Sequence, residues 1–431
     1  MSSNLFTEDF KTDPYWWEDS PRPDLGALDL PKTADVVVIG SGYTGLNAAL
    51  ETARAGRHTV VLDAEAVGWG CSTRNGGQIS TSVKSDLESL SAKYGRDRAF
   101  AIMKEGHNAL AWIQDFVGRE RIDCCFKVPG RFHAAHSLAQ YEALAVEVGH
   151  DVPGLEIGAE LVPRSEQRDE LGTDAYYGGV VFPKHASLDP GRYHQGLLDR
   201  VLEAGASVIE HCAVNSVERQ SGGFQVTTSR GSLIARDVIV ATNGYTGSVT
   251  PWQRRRVIPI GSYVIATEPL APALMDRLMP KDRVVSDTRK VVYYYRPSPD
   301  RSRIVFGGRV SHNETDPHTS GPKLHQAMAG IFPELADRKI SHSWVGFVAY
   351  TFDELAHIGQ KDGLYYAMGY CGSGVSMASY LGMRTGQKLL GLKEGRTGFD
   401  ELTFQTRPFY SGNPWFLGAS VMYYRWRDAR S

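Results

Sequence analysis

Hydrophobic residues along the chain gather into short β-branched runs followed by stretches with helical spacing, and the clearest case begins at Asp35. Val36, Val37, Val38 and Ile39 form a continuous apolar run, suited to a strand buried on both faces. Leu46, Ala49, Leu50 and Ala53 then recur at helical spacing, and Gly56 supplies a stop. A second short run closes at Asp63, so the segment reads as a β-α-β unit. Further on, Asp189 suits a helix N-cap with Pro190 at the first helical position. Leu197, Leu198, Val201 and Leu202 make that helix's apolar stripe, and Ser207 to Glu210 reads as a parallel strand after it. Two more strands, ending near Ala241 and Met368, each run into a small, glycine-containing turn, and a helix begins near Val375 after the second. Strands and helices in alternation predict an α/β fold.

Between the first strand and its helix lies Gly40-Ser41-Gly42-Tyr43-Thr44-Gly45. The first glycine permits a tight turn, the second lets backbone approach a pyrophosphate, and the third allows close packing of helix on strand. The free N–H groups and positive dipole end of the helix then favour phosphate without any basic side chain. Asp63 stands where a carboxylate accepts from ribose hydroxyls. NAD, FAD and S-adenosylmethionine all satisfy this unit. The loop from Val67 to Gln78 follows, with Gly68, Gly70, Gly76 and Gly77 among small polar residues. It can lay backbone amides, with the Ser72 and Arg74 side chains, against an extended ligand.

Composition removes several classes of function. With 47 Lys plus Arg against 49 Asp plus Glu, the formal net charge of the 431 residues is -2, which disfavours nucleic-acid binding. The uncharged stretch Gly363 to Met383 is interrupted by Gly369, Gly372, Gly374 and Gly382 and by serines, so it reads as a turn-rich loop rather than a membrane span. The polar, acidic amino terminus lacks the blocks of a secretory signal, which predicts the cytosol. Cysteines 71, 124, 125, 212 and 371 form no C-x-x-C pair, and the thirteen histidines show no ligand spacing, so no metal is expected.

GSGYTGLNAALETARAG and GWGCSTRNGGQ together resemble the flavin site of the D-amino-acid oxidase superfamily, FAD-dependent amine oxidoreductases. YYGGVVFPKHASLDPGRY at 176–193, DVIVATNGYTG at 237–247, YYYRPSPDRSRIVFGGR at 293–309 and LYYAMGYCGSGV at 364–375 extend the likeness over nearly the whole chain. The resemblance implies a discontinuous Rossmann-like FAD-binding domain over 30–100, 185–255 and 340–395. It implies an antiparallel-sheet substrate domain over 101–184 and 256–339 that roofs the flavin, with 1–29 and 396–431 as packing extensions. Cofactor contacts are expected at Gly40, Gly42, Tyr43, Thr44, Gly45, Asp63, Ala64, Gly70, Cys71, Ser72, Arg74, Asn75, Gly76, Gly77 and Gln78. Val214, Thr242, Asn243, Gly244, Gly369, Cys371, Gly372, Ser373, Gly374 and Val375 complete the set. FAD is expected to bind without a covalent link, although Cys71 and Cys371 both lie in these loops.

The chemistry implied is oxidation of an amine C–N bond, with O2 as the acceptor and peroxide as product. A dehydrogenase with another acceptor, or a nucleotide-binding protein without turnover, are the alternatives. Tyr263, Tyr294 and Trp344 are the expected catalytic wall, and Tyr295, Arg296 and Arg309 the expected substrate contacts. Amino-acid oxidases of this family place a carboxylate-binding arginine after a W-x-G motif, where this chain has Val348 in Trp344-Val345-Gly346-Phe347-Val348. That disfavours glycine or D-alanine and favours a longer amine such as gamma-glutamylputrescine. Sarcosine-type members use a lysine to help reduce O2, and Lys290 is the lysine nearest the roofing tyrosines in sequence.

Overall fold

The computed structural model describes residues 5–26, 28–149, 152–309, 314–428 and 430. The strand Thr33–Ile39, the helix Tyr43–Arg54 and the strand Thr59–Leu62 form the expected β-α-β unit. They belong to an eight-stranded sheet in which 59–62 and 231–240 flank 33–39, all parallel, with 207–209 beyond 59–62. The strand 364–368 pairs in parallel with the second half of 231–240. Alternation decides what each residue of the first strand touches. Val36 and Val38 face a helical layer that includes Leu46, Leu50, Leu197 and Leu381, while Val37 and Ile39 face Phe224, Val226 and Leu233 of a β-meander. The continuous apolar run is thus explained by cover on both faces. Asp189 caps the helix Pro190–Glu203 by accepting from the Arg192 N–H, with Pro190 in the first turn.

The second sheet has nine strands, in the order 6–11, 340–350, 258–267, 304–308, 293–297, 284–287, 131–134, 179–182 and 160–162. It is mixed rather than wholly antiparallel, because 6–11 runs parallel to 340–350 and 131–134 parallel to 284–287. One face packs under the helix Pro317–Ile331, with Phe132, Tyr263, Tyr295, Phe306, Leu324 and Met328 in the seam. The opposite face turns toward the first sheet and carries Val264, Val305 and Trp344, joined by Trp16 and Tyr294.

Three expected boundaries shift. Ile340–Tyr350 belongs to the nine-stranded sheet, not to the nucleotide-binding segment that was expected to begin at 340. The helix Arg96–Arg119, split by the boundary expected at 101, buries Ala99, Ile102, Ala109, Ile113 and Phe116 against the first sheet's helices. Phe6–Lys11 is an edge strand of the roof rather than simple packing, whereas Trp16 is fully buried, as the aromatic amino-terminal segment suggested. Among the described residues all five cysteines are unpaired by disulfides, and no helix is long and apolar enough to cross a membrane.

Candidate active site

Because the strands 33–39, 59–62, 231–240 and 364–368 are mutually parallel, their carboxyl ends lie on one edge of the sheet. Gly40, Asp63, Thr242 and Gly369 leave the sheet there, so four segments converge although the outer two lie more than three hundred residues apart. This edge is where ligands of open α/β sheets bind.

At the first turn Gly40 has φ +106°, a conformation glycine adopts freely, and a Cβ would sit 2.9 Å from the Ala241 carbonyl oxygen. A Cβ at Gly45 would lie 1.9 Å from the Gly40 carbonyl oxygen, so only glycine lets the helix approach the turn this closely. Gly42, the N-cap, offers no side-chain cap to the helix. Ser72 from the neighbouring loop accepts instead from the Tyr43 N–H at 2.9 Å. Asp63 accepts from the Ser41 N–H at 2.7 Å and from the Ser41 hydroxyl at 2.6 Å, which locks the turn to the end of the second strand. Ala64 follows it, and Val214 opens the β-meander two residues after Cys212, whose N–H donates to the Asp63 carbonyl at 2.7 Å.

The loop expected to have little to pack is in fact well packed. It forms a short 3-10 turn at Cys71–Thr73 and a two-residue strand at Gln78–Ile79. Arg74 donates from Nε to the Trp69 carbonyl at 2.7 Å, and its guanidinium lies 4.9 Å from the Trp17 ring and 4.7 Å from the Trp69 ring. It organises aromatic walls through Nε and the faces of its guanidinium. Asn75 accepts from the Gly77 N–H at 2.8 Å, and Trp16 donates to the Asn75 carbonyl at 2.8 Å. Gln78 donates to the carbonyls of Val285 and Tyr295 in the roof.

At the far turn the Asn243 side chain accepts from the Gly369 N–H at 2.9 Å, tying Thr242-Asn243-Gly244 to Gly369-Tyr370-Cys371. Gly374 begins the helix Gly374–Leu389, Val375 follows it into the first turn, and the Ser373 N-cap makes no side-chain cap bond. Ser373 instead donates to the Ser82 carbonyl at 2.9 Å. A Cβ added at Gly374 would meet nothing within 4 Å, so this helix terminus opens onto free space. Two helix termini whose own N-cap residues make no cap bond, glycine turns and a carboxylate at the strand end fit a dinucleotide with two phosphates, two ribose hydroxyls and an anionic ring system. Burial pushes the Cys71 and Cys371 thiols up to about 12.

The roof contributes fewer residues than expected. Along Tyr293-Tyr294-Tyr295 only the middle ring faces the nucleotide-binding sheet. Tyr295 is fully buried on the opposite face, stacked on Phe306 at 5.3 Å, with its hydroxyl donating to Tyr176 at 3.3 Å. Tyr263 lies on that same far face and donates to Glu314 at 2.6 Å. The strand period of two thus removes Tyr263 from the catalytic wall and Tyr295 from the substrate contacts. Trp344 does face the loop, but it is fully buried and donates from Nε1 to the Arg74 carbonyl at 3.0 Å, so it supports the loop. Tyr294 shares a hydrogen bond with Ser262 at 2.8 Å, and its ring edge lies where a Cβ on Gly76 would fall at 2.9 Å. Arg296 donates to the Gly77 carbonyl at 3.2 Å over the Trp16 ring, and Arg309 is paired with Glu314 at 2.9 Å. Both expected substrate arginines are therefore committed within the protein. Val348 is two and four residues from Gly346 and Trp344 in its strand, hence on their face, and leaves the wall apolar there.

Lys290 is exposed at the surface, with its backbone N–H held by Asp428. The lysine beside the far turn is Lys84, whose Cε would be 4.0 Å from a Cβ on Gly372. Desolvation lowers its pKa. Sequence reasoning missed it because the segment Thr81–Ser85 carries no periodic signal.

The chain matches the family model described as FAD dependent oxidoreductase over residues 35–387. It is 32% identical to gamma-glutamylputrescine oxidoreductase of Escherichia coli over 404 residues, covering 92% of this chain and 93% of that protein. Its fold matches glycine oxidase from Geobacillus kaustophilus with a TM-score of 0.72 at 18% identity, over 88% of this chain and 99% of the other. It also matches L-proline dehydrogenase from P. horikoshii with a TM-score of 0.69 at 17% identity, over 91% and 99% of the two chains. With its dinucleotide cradle and a family match spanning most of its length, the chain belongs to the FAD-dependent oxidoreductases of the D-amino-acid oxidase family.

Proposed function

We propose that the protein oxidises the C–N bond of a long amine, of the kind named for its gamma-glutamylputrescine relative, and passes the electrons to O2. The observation that carries this reading is the wall opposite the cradle, where Val348 stands in place of an arginine and Tyr294 is the polar group. FAD, held by the glycine turns and by Asp63, supplies a two-electron acceptor when bound. The amine loses two electrons and two protons to give an imine, water releases an aldehyde and ammonia, and O2 takes up two electrons and two protons as peroxide. The chain's own groups bind and orient. An apolar wall of low dielectric favours the uncharged amine, whose lone pair the oxidation requires. Trp16, Trp17 and Trp344 hold the Arg74 loop in place and shield it from water. Lys84 puts positive charge beside Gly372, where it would favour reduction of O2 to an anion.

The cofactor is held without a covalent bond in this reading, because thioether formation needs a thiolate and burial keeps Cys71 and Cys371 protonated at neutral pH. Oxygen uptake on adding amine tests the choice of acceptor. An oxidase consumes about one O2 per amine, and a dehydrogenase consumes almost none until an artificial acceptor is supplied.

A further inference from the structure

Arg131, Arg296 and Arg309 lie on the roof face that looks toward the cofactor cradle. The other two are occupied, as described above, by Gly77 and Trp16 and by Glu314. Arg131 is different. Phe132 and Ala134 of its strand point into the core beneath the Pro317–Ile331 helix, so Arg131 and His133 point the other way. The Arg131 guanidinium makes no hydrogen bond and no ion pair with any described residue, and its Nε is buried without a partner. Its close neighbour is the face of Phe182, at 5.0 Å. Burial pushes its pKa down to about 10, and Glu147 acts on it only through space. His133 and His185 beside it are held neutral, with burial driving them to about 3 and about 2. Lys84 adds a second positive charge from the facing loop, and each cation disfavours the other. A part-buried guanidinium whose nearest opposite charge, Glu147, makes no contact with it costs free energy until an anion completes it.

Register places this group relative to the reacting centre. Ser286 pairs with His133 on one side and with Tyr294 on the other, and Val284 pairs with Arg131. Arg131 therefore stands two strands over from Tyr294 and two residues further along, about 12 Å away in the plane of the sheet. An α-amino acid, whose carboxylate is one carbon from its nitrogen, cannot bridge that distance. An amine with its carboxylate at the far end of a chain of seven or more atoms can.

We infer that Arg131 is a carboxylate subsite that receives the distal end of the amine substrate. The assignment rests on the amine-oxidation reading for the identity of the substrate, but not for the existence of the subsite. It also explains how the wall dispenses with an arginine at Val348: the carboxylate is held at the other end of the ligand.

The test uses FAD-loaded protein and a probe that cannot be oxidised, 5-acetamidopentanoate, beside its neutral amide, each titrated calorimetrically. The carboxylate is expected to bind at least tenfold more tightly than the amide. In Arg131→Met the two are expected to bind within twofold of each other, through weaker binding of the carboxylate alone. Arg131→Lys retains the charge without the planar fork and is expected to lie between, which covers the case in which the Met variant does not fold. Equal binding of both probes to the native protein, tenfold discrimination surviving in Arg131→Met, or native discrimination undiminished in Arg131→Lys overturns the subsite. Anaerobic bleaching by amines separates this from failure of the reaction assignment. Discrimination without bleaching by any amine leaves the subsite standing and removes the proposed reaction, whereas bleaching without discrimination does the reverse.

Discussion

Gly374→Ala separates cofactor binding from folding. The residue opens the helix Gly374–Leu389, and an added Cβ meets no atom of the protein within 4 Å. Alanine is favoured over glycine within a helix by up to about 1 kcal/mol, so the substitution costs the apoprotein nothing and can stabilise it slightly. The account holds that FAD fills the space in front of this terminus. The methyl then intrudes on the cofactor, at about 1–3 kcal/mol for overpacking. Moving the ring away also weakens its interaction with the helix terminus by about 0.3–1 kcal/mol. At about 1.4 kcal/mol per tenfold, the combined loss is a dissociation constant raised roughly tenfold to several hundredfold. Quenching of tryptophan fluorescence on titrating FAD into apoprotein measures it, with a thermal melt of the same sample. Unchanged melting of the apoprotein with FAD affinity within twofold of native would refute the placement of the cofactor. Gly45→Ala is the contrasting control: its Cβ falls 1.9 Å from the Gly40 carbonyl oxygen, so both stability and FAD affinity should drop together.

Other consequences are open to direct measurement. His133, His185 and His194 are driven down to about 3, 2 and 3 by burial, so the unfolded chain binds protons that the native state refuses as pH falls below about 6.5. Stability is therefore fully present above that pH and is lost below it, by at most roughly 1.4 kcal/mol per pH unit for each histidine. Denaturant melts at pH 7, 6 and 5 should show a falling midpoint, and a flat profile would contradict the buried, neutral histidines. Cys71→Ser and Cys371→Ser should each keep the flavin, and acid precipitation of native protein should leave the yellow colour in the supernatant. Colour that stays with the pellet would show a covalent link. Trp344→Phe removes the hydrogen bond to the Arg74 carbonyl and should lower stability by about 1–3 kcal/mol, since that carbonyl is left without its buried donor. A Trp344→Phe protein with native stability would mean that the bond does not hold the loop.

What the sequence disclosed follows from how locally each feature is encoded. Gly40 to Asp63 is one contiguous unit whose strand, turn, helix and acid each leave a mark, and the structure reproduces it together with the Asp189 cap. The roof was legible as strands but not in phase. Tyr293, Tyr294 and Tyr295 form an unbroken aromatic run, and in a strand covered on both faces no alternation of polar and apolar residues tells which ring points where. Sequence therefore does not separate Tyr263 and Tyr295, which face the helix Pro317–Ile331, from Tyr294, which faces the cradle. Arg296 and Arg309 suit a substrate carboxylate by residue type, whereas their availability depends on Gly77, Trp16 and Glu314, which lie far off in sequence or turn back on the strand. Arg131 carries no local signal at all: only pairing of its strand with 284–287 and 179–182 brings it onto the cofactor side. The edge strand Phe6–Lys11 was overlooked because its charged residues interrupt the apolar pattern.

The most direct test of the central claim is an anaerobic absorbance titration of FAD-loaded protein with gamma-glutamylputrescine, putrescine, glycine and D-alanine. The account predicts that the flavin band bleaches with gamma-glutamylputrescine at far lower concentration than with the short amino acids, and that admitting air restores it within the time of mixing. A flavin that none of these amines bleaches, or one bleached best by glycine or D-alanine, would contradict it.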